Sequence, residues 1–484
     1  MEDRTGVSPC TGGAPGGSGA AMMPRLRYWR TVVPALALGL FVLLVLRLRY
    51  PLPGDAAVLT WLSRLDPLLA LRQSLLEGGL VSWAWLPGLV LLITLVDGRV
   101  FCGWLCPMGA LLNLLHSLRE ALGKRWPGAR RVQAVLSWPS YTWLAVVVAM
   151  LVMGSSLPLA LTPFSLLGHE VTRLWMGRVP WVLLLLAAVG VAWFPRAWCT
   201  YACPTGLALA AVARLRWWRL RAGGACTSCG ACQRHCPVGA LRGTPAPVGE
   251  QCVLCGRCWE DCPRGAMEWQ AGWSAPPEGA GADPEWTRRQ LVGGAAAGLL
   301  GLALWQQLGE PAVGTPLRPP GGQDELDFAA RCLRCGRCVK VCPTRALEPM
   351  PLAAGLLVFD TPEFIPRQGR CELCMLCQQV CPTQAIRPVP LERLRIGTAV
   401  IDRTRCLNWI GKTKCLLCAE QCPLAAIAID GRERPHVDAG LCVGCGACEN
   451  GCPVEGEAAV RVYPGNGPGQ AGGRRRRSGW QAAR

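Results

Sequence analysis

Apolar residues crowd into the first half of this chain in four runs. Val32–Leu46, extendable to either side, Val81–Val96 and Ser140–Leu161 are long enough to cross a bilayer; Val179–Phe194 is shorter but nearly uninterrupted. A single run of this kind reads equally well as a buried core helix. Four in succession, with few charges between their ends, predict an α-helical polytopic membrane domain of four transmembrane helices. Past residue 221 the long apolar runs stop, and short stretches broken by cysteine, proline and glycine take over.

Composition agrees with that division. The 484 residues leave room for about three domains, and a hydrophobic content of 51% with mean hydropathy +0.26 is too apolar for an ordinary soluble enzyme. The net charge of +18 does not point to nucleic acid, because the arginines bracket apolar runs and no recognition motif accompanies them. Basic clusters at Arg25/Arg27/Arg30, Arg119–Arg131 and Arg214–Arg221 fit the positive-inside rule if all three face the cytoplasm. Arg47, Arg49 and Arg64 on the first external loop run against it.

A duplication lies inside the apolar half. Arg99-Val-Phe-Cys102-Gly-Trp-Leu-Cys106-Pro-Met-Gly109 recurs 97 positions later as Arg196-Ala-Trp-Cys199-Thr-Tyr-Ala-Cys203-Pro-Thr-Gly206. The reading is therefore two duplicated two-helix units in parallel, with both C-x3-C-P motifs on one, cytoplasmic, face. One helical turn separates the two thiols of each motif. Cys102, Cys106, Cys199 and Cys203 are expected to converge on a redox-active or metal site; the alternative is small buried residues at helix ends. Their chemistry is left open by the residues themselves.

The second half carries six four-cysteine groups, each ending in Cys-Pro. Five read C-x2-C-x2-C-x3-C-P: Cys226/Cys229/Cys232/Cys236, Cys252/Cys255/Cys258/Cys262, Cys332/Cys335/Cys338/Cys342, Cys371/Cys374/Cys377/Cys381 and Cys442/Cys445/Cys448/Cys452. The group Cys406/Cys415/Cys418/Cys422 stretches its first gap to eight residues. This spacing wraps a cubane cluster, and in two-cluster units the fourth cysteine ligates the partner cluster. Six groups make three pairs, which predicts six [4Fe-4S] clusters on all 24 cysteines, in α+β units of bacterial-ferredoxin type. Zinc sites separate their C-x2-C pairs by longer loops, and a disulfide framework suits a small secreted domain. After Cys-Pro an alanine and an aliphatic residue usually follow, a pattern suited to a short helix packed on the cluster.

Haem is not expected. No Cys-x-x-Cys-His occurs, and of the four histidines His116 and His169 fall on opposite sides of the membrane reading. His169-Glu170 reads either as an ordinary polar loop pair or as a handler of quinol protons.

Between the cysteine groups, Ala275–Pro284 is a Pro/Gly/Ala linker, followed by Thr287-Arg288-Arg289-Gln290-Leu291-Val292 and a weakly apolar stretch to Leu304. Paired arginines before such a run are similar to a twin-arginine export signal. A cluster-bearing domain must be loaded in the reducing cytoplasm and cross already folded, which suits that route. The expected layout is a disordered tail over 1–24, the membrane domain over 25–221, and a two-cluster domain over 222–273. A linker over 274–322, a four-cluster domain over 323–463 and a basic tail over 464–484 follow.

With these residues in view, positions from about 25 to 273 resemble NapH/MauN-type membrane ferredoxins, through four helices, two C-x3-C-P motifs and a two-cluster domain. Positions from about 287 to 463 resemble NapG/MauM-type ferredoxins, through the twin-arginine start, Arg318-Pro-Pro-Gly-Gly, the stretched Cys406-Leu-Asn-Trp-Ile-Gly group and Cys442-Val-Gly-Cys-Gly-Ala-Cys-Glu. The resemblance implies a quinol-dehydrogenase component that takes electrons from the membrane quinone pool to a periplasmic oxidoreductase or cytochrome, such as nitrate reductase. The alternative is an assembly or metal-reducing accessory factor for a partner redox enzyme. The expected location is the bacterial inner membrane, multi-pass, with the N-terminus and first ferredoxin domain cytoplasmic and the four-cluster domain periplasmic.

Overall fold

The computed structural model describes residues 23–48, 56–121, 142–192 except 153, and 196–272 except 242–247. It also describes 315–322, 325–465 except 356–357, and single positions 293 and 296. The paired arginines Arg288/Arg289, most of both expected tails, Cys10 and most of the linker lie outside these residues.

The apolar half folds into helices α1 (Met23–Leu46), α2 (Ala56–Arg64), α3 (Pro67–Glu77), α4 (Trp85–Val96), α5 (Val100–Trp104) and α6 (Pro107–Ala121), then α7 (Thr142–Val152), α8 (Pro163–Trp175), α9 (Trp181–Ala192) and α10 (Pro204–Ala213). Among the described residues one helix, over Tyr28–Leu46, is long and apolar enough to cross a membrane; α4, α7, α9 and α10 are shorter apolar helices. The run Ser140–Leu161 is not one helix. It breaks at Gly154-Ser155-Ser156, where Gly154 takes a φ of +104°, and resumes as a short 3-10 turn over Leu157–Leu161. Glycine there adopts a backbone conformation that a branched apolar residue would resist.

Two connections unseen in the hydropathy pattern pack against the helices. Asp66 caps α3 by accepting from Leu68 N at 3.0 Å, and its other oxygen accepts from Thr205 Oγ1 on α10 at 2.7 Å. On α8, Phe164 sits 6.0 Å from the Phe41 ring and 6.3 Å from the Phe101 ring. Residues between the apolar runs therefore reach the core beside the C-x3-C-P motifs.

The cysteine-rich half contains three ferredoxin units of one plan: an outer pair of strands brackets two cysteine groups, and an inner hairpin joins them. In the first unit β1 (Trp218–Ala222) pairs antiparallel with β2 (Met267–Ala271), and Leu241 bridges Val248 inside. In the second, β3 (Leu347–Pro349) pairs with β4 (Pro362–Phe364), while Arg387 N bonds Gly321 O at the outer edge. In the third, β5 (Thr398–Ile401) pairs with β8 (Val460–Tyr463) outside, and β6 (Ile427–Ile429) with β7 (Pro435–Val437) inside.

Inside each group the chain after the second cysteine makes one short helix, as at Ala231–Arg234, Arg257–Glu260 and Ala447–Asn450. The helix expected after Cys-Pro is instead a turn leading into a strand. Its alanine is buried, and its backbone N–H meets the sulfur: Ala240 N lies 3.3 Å from Cys236 Sγ, Ala266 N 3.3 Å from Cys262 Sγ, and Ala426 N 3.3 Å from Cys422 Sγ.

The first and second ferredoxin units meet opposite ends of α9. Arg178, just before α9, meets Glu348 of the second unit at 3.2 Å, whereas Arg196, just after α9, belongs to the C-x3-C-P end. There the first unit docks, with Trp104 Nε1 donating to Leu254 O at 3.2 Å and Arg30 pairing with Glu260 at 2.7 Å.

Candidate functional site

Each cysteine group takes its fourth thiol from its partner. Cys232 has Cys226, Cys229 and Cys262 as neighbours, and Cys258 has Cys252, Cys255 and Cys236. Cys338 lies with Cys332, Cys335 and Cys381, and Cys377 with Cys371, Cys374 and Cys342. Cys448 lies with Cys442 and Cys445, and Cys422 completes that set beside Cys445. Cys406, Cys415 and Cys418 group together, leaving Cys452 as their fourth. The exchange pairs the groups first with second, third with fourth, and fifth with sixth, which the spacing alone left open.

These quartets fit an iron–sulfur cluster. All described cysteines are free thiols. In the regular groups the loop between cysteines carries left-handed residues: Ser228 and Gly230, Leu254 and Gly256, Arg334 and Gly336, Leu373 and Met375, Gly444 and Gly446. Such turns aim successive backbone N–H groups inward, as anionic clusters demand. The stretched group lacks the pair, since Leu416 has a φ of −122°. Burial pushes the thiols up, Cys236, Cys332 and Cys371 to about 12 and Cys418 to about 11, so uptake of iron there must release protons. When bound, the clusters supply one-electron acceptors.

Cys102, Cys106, Cys199 and Cys203 do converge. All four are buried and are mutual neighbours. The duplication shows as an exchange of arginines: Arg99 Nη2 donates to Cys199 O at 2.9 Å, and Arg196 Nη1 donates to Cys102 O at 3.4 Å. Both guanidinium groups are fully buried at 0% exposure, which is affordable only because each finds several acceptors. Arg99 also reaches Gln251 beside Cys252, and its Nη2 lies 3.9 Å from Cys102 Sγ. One residue thus touches both the tetrad and the first ferredoxin unit. The glycines of the motif are forced by close approach: a Cβ on Gly109 would stand 2.2 Å from Cys102 O, and on Gly206 2.6 Å from Cys199 O.

At the other end of the helices the Cys332 group meets the helical region. Ser156 Oγ donates to Ala329 O at 2.7 Å and lies 3.0 Å from Cys332 O, Arg337 reaches Ser63, and Gly336 packs on Thr172. Leu333 and Cys335 join a cluster with Leu68, Leu69, Val147, Leu151 and Ala208. Onward, Cys371 N donates to Cys445 O at 2.7 Å, linking the second unit to the third. His169 sits between Glu170 at 3.5 Å and Asp360 of the second unit at 3.3 Å, so it acts at a domain contact. Sequence reading noted Arg99 and Arg196 as repeated letters and missed their exchange; their shared 97-residue offset with the cysteines was the available signal. Asp66, Ser156 and Gln251 carried none.

Comparison with known proteins agrees with this chemistry. Residues 80–126 and 176–222, which hold the two C-x3-C-P motifs, each match the family described as a 4Fe-4S binding domain. Residues 331–385 and 370–426 match a 4Fe-4S dicluster domain, and 226–240 and 434–459 match further 4Fe-4S binding domains. The chain is 38% identical over 192 residues to the ferredoxin-type protein NapG of Escherichia coli K12, covering 36% of this chain and 81% of that protein. It is 38% identical over 198 residues to the methylamine utilization ferredoxin-type protein MauM of Paracoccus denitrificans, covering 37% and 88%. It is also 31% identical over 228 residues to the protein NirI of Paracoccus denitrificans, covering 46% and 33%. With most of NapG and MauM covered at such identity, on cysteine quartets built to hold clusters, the chain belongs to the NapG/MauM ferredoxin-type family and is an iron–sulfur electron-transfer protein.

Proposed function

We propose that this chain is a membrane-anchored quinol-oxidising relay in which a NapH/MauN-like helical half and a NapG/MauM-like half are fused. Six [4Fe-4S] clusters carry electrons from quinol to a partner oxidoreductase outside the cytoplasm, a nitrate-reductase-type enzyme being the first candidate. The observation that carries this reading is that the first and second ferredoxin units meet opposite ends of α9, with the cysteine tetrad at the first unit's end. A protein that used all its clusters on one side would have no need of that separation. The residues then order as a line. The Cys226 and Cys252 groups come first, then Cys102/Cys106/Cys199/Cys203, the Cys332 and Cys371 groups, and last the Cys442 and Cys406 groups. Arg99 joins the first unit to the tetrad, and the core cluster that includes Leu333, Cys335 and Ala208 joins α10, which follows Cys203, to the second. The four apolar runs serve as spans, α1 at full length and the others by packing of their shorter helices with α2, α3 and α8. The Arg288/Arg289 segment exports the second half.

A reporter fused after Arg484 tests the arrangement: it should be accessible from the periplasm, and one placed at Gly272 should be protected. Lysine at both Arg288 and Arg289 should trap the last four clusters inside, since twin-arginine recognition reads paired guanidinium groups and not charge alone. A protected terminus in the unaltered chain would contradict the reading.

A further inference from the structure

The cavities around the cysteine quartets differ greatly in size. The one enclosed by Cys226, Cys229, Cys232 and Cys262 has a volume of about 30 Å³, and the one at Cys422, Cys442, Cys445 and Cys448 about 20 Å³. The cavity that contains Cys236, Cys252, Cys255 and Cys258 measures about 350 Å³. A cluster-sized need is common to all three, so the third holds some ten times more space than its cysteines call for. Beside the thiols its walls come from both sides of a junction: Asp97, Val100 and Trp104 from the helical region, and Leu220, Trp259 and Trp269 from the first ferredoxin unit. A cleft of several hundred Å³ with apolar and aromatic walls and few polar groups is the usual form of a small-molecule site.

We infer that this cleft binds the ring of a quinol, between α5 and the first ferredoxin unit, against the Cys252 centre. The inference rests on the quinol reading above and adds the site. Three features favour this occupant. First, the aromatic walls suit a flat ring: Trp259 and Trp269 lie 5.5 Å apart at 59°, and Trp104 is held by its bond to Leu254 O. Second, the surface next to the cleft suits a lipid-soluble ligand. Leu95 and Val96 are exposed just before Asp97, Trp217 N is bonded to Leu95 O at 2.9 Å, and Trp217, Trp218 and Trp269 are all surface-exposed. Tryptophans gathered at the end of an apolar helix mark a membrane–water boundary. Third, Asp97 closes α4 at the cleft wall and offers a carboxylate to a phenolic hydroxyl. Oxidation of one quinol there releases two electrons and two protons. The two centres that the Cys252 and Cys226 groups would hold would each take one electron, while one proton passes to Asp97 and the other to water.

The test uses the full chain, loaded with clusters, in liposomes containing a photoreactive azido-quinone. Crosslinks mapped by mass spectrometry should fall on peptides bearing Val100, Trp104, Trp259 or Trp269, and excess decylubiquinone should suppress them. Val100→Trp should fill the cleft and lower that labelling about tenfold, a loss in the range of a blocked anchor pocket. Asp97→Asn should retain labelling by the quinone, which brings no phenolic proton, and slow reduction of the centres by quinol at least about tenfold; unchanged reduction would overturn the proton step. Both variants must keep their iron content and dithionite-reducible spectrum. Labelling elsewhere, with normal reduction by quinol, would overturn this site and leave the relay standing. Neither labelling nor reduction by quinol would overturn both.

Discussion

Arg99 hands its Nη2 to the carbonyl of Cys199 at 2.9 Å, one hundred residues ahead, while Arg196 returns the bond to the carbonyl of Cys102. Each copy of the duplicated motif is thus locked by the arginine of the other. Arg99→Ala should leave the Cys199 carbonyl and Gln251 without their donor, at a cost of about 1–3 kcal/mol for each buried acceptor. Arg99→Lys should not restore stability, because one ammonium cannot span both partners. Thermal unfolding in detergent, with alkylation of Cys199 as a local probe, checks this; full rescue by lysine would show the fork geometry to be irrelevant.

Steric need separates the glycines. Gly206→Ala would set a Cβ 2.6 Å from Cys199 O and 2.8 Å from Arg99 Nη2, whereas Gly88 on α4 has open space around it. The first substitution should cost about 1–3 kcal/mol or more through overpacking, and Gly88→Ala should be neutral or slightly stabilising through helix propensity. Equal melting temperatures for the two variants would mean that the motif glycines merely mark a turn.

Exchange of the fourth cysteine makes a prediction that spacing cannot. Cys262→Ala and Cys229→Ala should remove the same centre, although they lie in different groups, and Cys381→Ala should match Cys335→Ala. Iron content and the electron paramagnetic resonance of the reduced protein report which centre is lost. Different losses within either pair would contradict the assignment.

The helical and iron–sulfur halves were readable because their signals are local. An apolar run or a C-x2-C-x2-C-x3-C-P group declares itself within some twenty residues, and the duplication needed only a fixed offset. Helix lengths were not readable. Gly154, Ser155 and Ser156 look tolerable inside an apolar run, yet they end α7, and Ser156 is kept for the carbonyls of Ala329 and Cys332. The Ala that follows Cys-Pro suggested helix packing, whereas it lies buried in a turn that leads into a strand and gives its backbone N–H to sulfur. Asp66 and Gln251 matter through partners more than a hundred positions away, a distance over which a single sequence carries no pattern.

The contact of His169 with Asp360 should make domain docking sensitive to alkali. Burial alone would lower the imidazole, but the carboxyls of Asp360 and Glu170 outweigh it and hold its pKa at about 9. A raised histidine stabilises most below its unfolded value near 6.5, and that contribution fades as pH rises through about 9. Hydrogen exchange over residues 332–360 should therefore quicken between pH 7 and pH 10, by an amount that Asp360→Asn reduces. The same alkaline response in that variant would locate the titration elsewhere.

On the proposed relay, electrons should pass between the two ferredoxin regions by way of the buried thiols. The direct measurement is rapid-freeze electron paramagnetic resonance after mixing the oxidised full chain with a quinol analogue, in the unaltered protein and in Cys102→Ser and Cys203→Ser. With clusters assembled in all three, the Cys252-side centres should be reduced in each. The Cys332-side centres should be reduced only where the tetrad is intact. Equal reduction of the Cys332-side centres in both variants would contradict it.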